Sequence, residues 1–347
     1  MSSSPRNAAS EVGRPVGGPC SVTLITWARE HTSVHTIYRL LLVMSSEWIK
    51  KKLTTDNGFI RVFSALGLYD AQMEQLQQLN LRLGVVNFLN ATPLIDGIST
   101  IEGVELIPKV PSELIGCLEQ NEVDFALASS IDYQRSDEKL CILPVGVLSS
   151  EGETFTVRLC SSEPFEKITE VHCDTDSHTS VALLQVIVKN KYGFVPEIVP
   201  CDVRAICESN ASWPKTVLII GDKVVTSATE EVFPYQLDLG LAWHEQTTLP
   251  FVFATWFGKS TLETSLVQRA QIVLDRQLLR NTNRIEQVVS EYAPERGWDV
   301  DVAFRYLTKH IQYSFSDKHR QSLELFYELA FSAGALESTK PLQFFGA

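Results

Sequence analysis

Three short stretches carry side-chain hydrogen-bond donors at points where the backbone is about to turn. The first is LRLGVVNFLNATPLIDG, residues 81–97, in which an apolar run gives way to Asn87, Asn90, Ala91 and Thr92, with Pro93 behind them. The second is Ser129 and Ser130, closing the apolar run VDFALA. The third is DTDSHTS, residues 174–180, in which every residue except His178 is Asp, Thr or Ser. A helical run, VALLQVIVKNKYG, follows it directly. Amides and hydroxyls at such places donate hydrogen bonds, and the free N–H groups at a helix start favour a carboxylate or phosphate. The chemistry they suit is the grip of a small anion by neutral groups. The same residues also suit ordinary turns, and any of Asp176, Ser177 or Thr179 can cap the helix.

The elements that must position these groups alternate between strand and helix. Strands are expected over residues 83–86, 104–108, 123–128, 140–147, 155–160, 168–173, 196–199, 217–220 and 249–256. Helices are expected over 111–119 and over the dozen residues that end at Gly193. From Leu262 the chain is helical throughout, broken once at Pro294 and Gly297. Repeated β–α alternation predicts an α/β fold of mostly parallel sheets, with ligands at the carboxyl edge of the strands. The strands at 155–160 and 250–256 bracket a separate α/β unit. Two lobes follow: residues 81–163 with 250–347, and residues 164–249. Asn87, Asn90, Ser129 and Ser130 would line a cleft from one side and residues 175–180 from the other. Asp174, Asp222 and His244 are assigned turn and cap roles.

A chain of 347 residues is long enough for about two domains. The net charge of −12 and a pI of about 5.1 argue against nucleic acid or an anionic membrane as partner. Seven cysteines contain no C-x-x-C pair, and His31 and His35 lack further ligands nearby, so no metal centre is expected. Reduced thiols fit a cytoplasmic protein. No apolar run approaches the roughly 20 residues that span a bilayer. Residues 1–72 are expected to be an extension outside the fold, disordered over the Ser-, Pro-, Gly- and Arg-rich residues 1–19. Met73 is a candidate alternative start.

Read together, VNFLNATPLIDG, VDFALASSIDY, DTDSHTSVALL, IIGDKVV and YQLDLGLAWHEQTTLPFVFATW resemble chorismate dehydratase, the first enzyme of the futalosine route to menaquinone. The resemblance runs from about residue 81 to residue 336. It implies the two-lobed fold of type II periplasmic binding proteins, used inside the cell as an enzyme. It also implies loss of water from chorismate to give 3-[(1-carboxyvinyl)oxy]benzoate, with no cofactor. On this reading Asn90 and Ser130 are the catalytic donors. Asn87, Ser129, Thr156, Ser177, Thr179 and Ser180 bind substrate, Thr156 standing where the family often has a serine. Two departures are His178, where the family commonly has a basic residue, and GETFT at 152–156 in place of a GPVRS-like sequence. The rival expectations are a solute-binding protein of the same fold and the sister 1,4-dihydroxy-6-naphthoate synthase.

Overall fold

The apolar runs form strands, in chain order β1 (Leu81–Val85), β2 (Val104–Pro108), β3 (Phe125–Ser129), β4 (Leu140–Ser150), β5 (Val157–Ser161), β6 (Glu170–Asp174), β7 (Glu197–Cys201), β8 (Thr216–Ile220), β9 (Tyr235–Asp238) and β10 (Phe251–Lys259). The computed structural model describes residues 79–209, 211–227 and 231–346. All lie within one compact unit, Gln72–Ala347. The extension expected over residues 1–72 falls outside the described residues.

Two five-stranded sheets result, ordered β2-β1-β3-β10-β4 and β7-β6-β8-β5-β9. In each, three neighbouring strands run parallel: β2, β1 and β3 in one, β7, β6 and β8 in the other. In each, the next strand is antiparallel to both its neighbours: β10 between β3 and β4, β5 between β8 and β9. The sheets are therefore mixed, where alternation alone predicts mostly parallel ones. The reason lies in the path of the chain. β5 and β10 are the first strands after each crossing between sheets. They enter at the edge where the parallel strands end, so they run against them. The same path moves β5 into the second sheet, although the sequence groups residues 155–160 with the first lobe.

Local signals account for most boundaries. The helix His178–Tyr192 is capped by Ser177, whose hydroxyl accepts from the Ser180 N–H at 3.2 Å, and it stops at Gly193. The helix Leu114–Glu119 begins three residues later than expected, after a turn that starts at Val110. The segment Leu239–Thr247 is a helix capped by Asp238, an element that the strand-dominated pattern around it concealed. Its Trp243 packs edge-to-face on Phe251 at 5.2 Å, and Phe251 packs on Phe326 at 4.9 Å. These contacts join the second crossing to β10 and to the helix Asp317–Ser332. One contiguous apolar core takes in buried residues of both sheets, and a second cluster of Cys160, Val217 and Ile219 with Val203, Val224 and Phe233 lies on the other face of the second sheet. Cys117, Cys141, Cys173, Cys201 and Cys207 are free, and no described helix is long and apolar enough to cross a membrane.

The two crossings are tied to each other. The Asp238 carboxylate accepts the N–H groups of Thr154 at 2.9 Å and Phe155 at 2.7 Å from the first crossing, and that of Leu241 at 2.9 Å from the helix it caps. Burial pushes this carboxyl up, and the three backbone donors pull it back toward the ionised form. Phe155 is held at φ +72°, a conformation that side chains rarely adopt. Gly240 permits the contact, because a Cβ there would lie 1.8 Å from Thr154 Oγ1 and 2.9 Å from the Gly152 carbonyl oxygen. Gly240→Ala should therefore force the crossings apart and cost about 1–3 kcal/mol by overpacking. Thermal unfolding would register this as a drop of about 2–4 °C per kcal/mol; a melting temperature equal to that of the unaltered protein contradicts the packing.

Candidate functional site

The carboxyl ends of both parallel triplets open onto one cavity of about 580 Å³, part of it open to solvent. Its polar lining is Asn90, Ser129, Thr154, Thr156, Ser177 and Ser180. Its apolar lining includes Phe88, Leu148, Ile220 and Phe253. No Asp, Glu, His, Lys, Arg, Cys or Tyr lines it among the described residues.

Asn90 sits in the short helical turn after β1, Leu89–Ala91, which continues into Thr92–Ile95 with Pro93 near its start. The far end of this turn is fastened by the C-terminal helices. Asn281 Nδ2 donates to the carbonyls of Pro93 and Asp96, at 3.2 and 2.9 Å. The Asp96 carboxylate pairs with Arg284 at 2.9 Å and accepts from the Tyr292 hydroxyl at 2.6 Å. That contact pushes the Tyr292 phenol up to about 12. Asn90 itself lies 3.1 Å from the hydroxyl of Tyr306, which lies 2.8 Å from Thr156 Oγ1. Tyr306 is fully buried, and burial pushes its phenol well above the usual tyrosine range. Its ring stacks on Trp298 at 5.0 Å and packs against Phe155 at 6.1 Å. It also opens a π-type turn, Tyr306–His310, a local irregularity that is frequent at functional sites.

On the other side Ser177 and Ser180 stand at the start of the helix His178–Tyr192, their hydroxyls 3.0 Å apart. The N–H groups of a helix's first turn have no partner within the helix. Behind this loop Lys223 Nζ binds Asp174 at 2.7 Å and Asp176 at 2.6 Å. Burial raises the Asp174 carboxyl, and Lys223 opposes that shift. Asp174 thus braces the loop. Burial raises the Asp222 carboxyl above the usual carboxylate range. His244 Nδ1 faces the Leu249 carbonyl at 3.4 Å. Gly221, at φ +68°, lays its backbone on the Phe88 ring, 3.2 Å from where a Cβ would stand, and closes the cavity at that end.

The eight residues singled out from the sequence divide into two groups. Asn90, Ser129, Thr156, Ser177 and Ser180 meet in the cavity. Ser130, Thr179 and Asn87 do not line it. The Ser130 hydroxyl donates to the Val252 carbonyl at 2.8 Å and lies 3.4 Å from Thr179 Oγ1. Thr179 Oγ1 accepts the Ile131 N–H at 3.2 Å. Both are buried where the lobes meet. Asn87 is exposed, and its Oδ1 accepts from Arg296 at 2.7 Å. His178 takes part in the same joint: its Nδ1 meets the buried Asp132 carboxylate at 2.8 Å. Thr154 and Tyr306 were missed. Thr154 offers only one more hydroxyl in a loop. Tyr306 lies 216 residues from Asn90 and reads as one apolar position of a helix.

Comparison with known proteins agrees with this architecture. Residues 81–332 match a protein family described as Menaquinone biosynthesis. A chorismate dehydratase of Thermus thermophilus is 30% identical over 189 residues, which cover 50% of this chain and 68% of that protein. A chorismate dehydratase of Campylobacter jejuni is 27% identical over 244 residues, covering 69% and 88%. Among solved structures, the alkanesulfonate-binding protein SsuA from Xanthomonas axonopodis pv. citri, bound to MOPS, superposes with a TM-score of 0.56 at 14% identity, covering 74% of this chain and 94% of that one. The fold is that of the periplasmic binding proteins, two α/β lobes around a ligand cleft. With the match running through both lobes and the C-terminal helices, the chain belongs to the menaquinone biosynthesis family.

Proposed function

We propose that this protein is a cytoplasmic lyase that dehydrates chorismate to 3-[(1-carboxyvinyl)oxy]benzoate, feeding the futalosine route to menaquinone. The observation that carries the proposal is the composition of the cavity: hydroxyls, one amide and a helix start, supplied by both lobes, with no ionisable side chain. The relatives named chorismate dehydratase support the same reading, and the free thiols suit a reducing compartment.

The reaction needs little more than such a site supplies. Chorismate carries two carboxylates, a hydroxyl at C4 and an enolpyruvyl ether at C3. Breaking the C3–H and C4–O bonds forms the C3–C4 double bond of an aromatic ring and releases one water. The C3 hydrogen is conjugated through a ring double bond to the ring carboxylate, which takes up the electron pair as the proton leaves. In the absence of a lining base, the enolpyruvyl carboxylate of the substrate takes the C3 proton. The departing hydroxide takes that proton back from the enolpyruvyl carboxyl and leaves as water, so atoms and charge balance. The protein's part is positioning and stabilisation of the developing anion. The start of the helix His178–Tyr192, with Ser177 and Ser180, receives one carboxylate. Asn90, Ser129 and Thr156 donate from the opposite wall, and the apolar lining excludes bulk water and strengthens each hydrogen bond.

Incubating the purified chain with chorismate, with product mass and ultraviolet absorbance as readouts, tests the proposal. The enzyme releases water and the carboxyvinyl-oxybenzoate; a solute-binding protein, or the sister synthase, returns chorismate intact. Asn90→Ala should lower kcat about 10²–10³-fold, the cost of one donor aimed at developing charge, and unchanged turnover would remove Asn90 from the site. Because the cavity lacks a titratable side chain, kcat should stay level between about pH 6 and 8. A bell-shaped profile in that range would mean that a protein group moves the proton.

A further inference from the structure

The Asn90 amide has a hydrogen-bond partner at one end only. The amide nitrogen as placed is 3.1 Å from the Tyr306 hydroxyl, while Oδ1 is buried and has no partner, in a residue that lines the cavity. Nitrogen and oxygen of an amide can exchange places without moving any other atom, so the hydrogens alone distinguish two arrangements. In one, the NH₂ donates to Tyr306 and a bare carbonyl oxygen is left for the ligand to meet. In the other, Tyr306 donates to the carbonyl oxygen and the NH₂ is left for the ligand.

One observation selects the second arrangement, and the hydrogen-bond capacity of Tyr306 is compatible with it. No described residue lining the cavity is a cation, so an anionic ligand finds its donors there among neutral groups, and a bare carbonyl oxygen would repel it. Tyr306 also has one proton to give and two neighbours, Asn90 and Thr156, within hydrogen-bond distance. If that proton goes to Asn90, the Thr156 hydroxyl completes the chain by donating to the Tyr306 oxygen. Burial keeps the phenol protonated across the neutral range, so the donor persists. The ring cannot swing away, clamped as it is by Trp298 and Phe155.

We infer that Tyr306 is a positioning residue: a hydrogen-bond chain directed from Thr156 through Tyr306 to Asn90 turns the Asn90 NH₂ toward the bound anion. The contacts of the chain rest on geometry, its direction on an anionic ligand in a cavity whose described lining holds no cation, and its effect on rate on the dehydratase reading above. Tyr306 holds no substrate. It fixes which face of the amide the substrate meets, and thereby couples a residue of the first lobe to one at the mouth of the first crossing.

Neutron diffraction from crystals of the full, deuterium-exchanged chain reads the direction outright. The expected result is a deuteron on the Tyr306 oxygen pointing at Asn90, with two deuterons on the amide atom away from Tyr306. Two deuterons on the amide atom nearest Tyr306 would overturn the inference whatever the substrate proves to be. The kinetic consequence is tested with Tyr306→Phe, which keeps the ring stack. Its kcat should fall about 10- to 100-fold with KM changed by less than about threefold and the melting temperature retained. In an Asn90→Ala background the same change should cost less than about threefold more, since the effect runs through the amide. Wild-type kcat in Tyr306→Phe, or losses that multiply in the double variant, would also overturn it. If the unaltered chain leaves chorismate intact, the dehydratase reading fails, and the deuteron positions still decide the role of Tyr306.

Discussion

The chain passes between its two sheets twice, and each time the arriving strand must enter at the edge where the parallel strands end. That constraint makes β5 and β10 antiparallel to their neighbours and turns the carboxyl ends of the two parallel triplets toward a shared space. Everything in the cavity is set by it. Asn90 and Ser129 follow β1 and end β3 in one sheet. Ser177 and Gly221 follow β6 and β8 in the other. Thr154 and Thr156 lie on the first crossing itself, which Asp238 grips by three backbone N–H groups, two of them from that crossing. A donor set split between two lobes stays registered because the crossings are fastened to each other as well as to the sheets.

Electrostatics follow from the same arrangement. The charged groups around the cavity are each held by a partner at its back or rim: Lys223 by Asp174 and Asp176, Asp132 by His178, Arg296 on the Asn87 oxygen. What remains inside is neutral. An anion in such a place is held by oriented dipoles, which keep a fixed geometry and carry no counter-charge to be neutralised as the ligand's own charge moves. For an elimination in which electron density shifts from a C–H bond into a ring carboxylate, that is a suitable environment.

Much of the fold was legible locally. The strand that ends just before Asn87, the serine pair closing 123–128 and the hydroxyl-rich start of the long helix all occur where the residue types predict, and five of the eight donors drawn from those signals and from the family resemblance converge. The rest was hidden for identifiable reasons. Strand direction is a property of the chain's path, so the mixed sheets and the sheet membership of β5 could not be read from 155–160 alone. A hydroxyl's target is equally invisible in sequence: Ser129 and Ser130 are adjacent and of one type, yet alternation across the strand end sends one to the cavity and the other to the Val252 carbonyl. Tyr306 lies far along the chain, at helical spacing, and looks like core until Asn90 and Thr156 are seen on its hydroxyl.

The central claim, that a cavity without charged side chains grips a dianion through donors of both lobes, is tested most directly by a crystal structure with the inert product, 3-[(1-carboxyvinyl)oxy]benzoate, bound. The account predicts one carboxylate within about 3 Å of the helix start at Ser177–Ser180, and Asn90 at hydrogen-bond distance from the same molecule. A product molecule bound through Arg296 or another surface cation, with Asn90 and Ser177 out of reach, would contradict it.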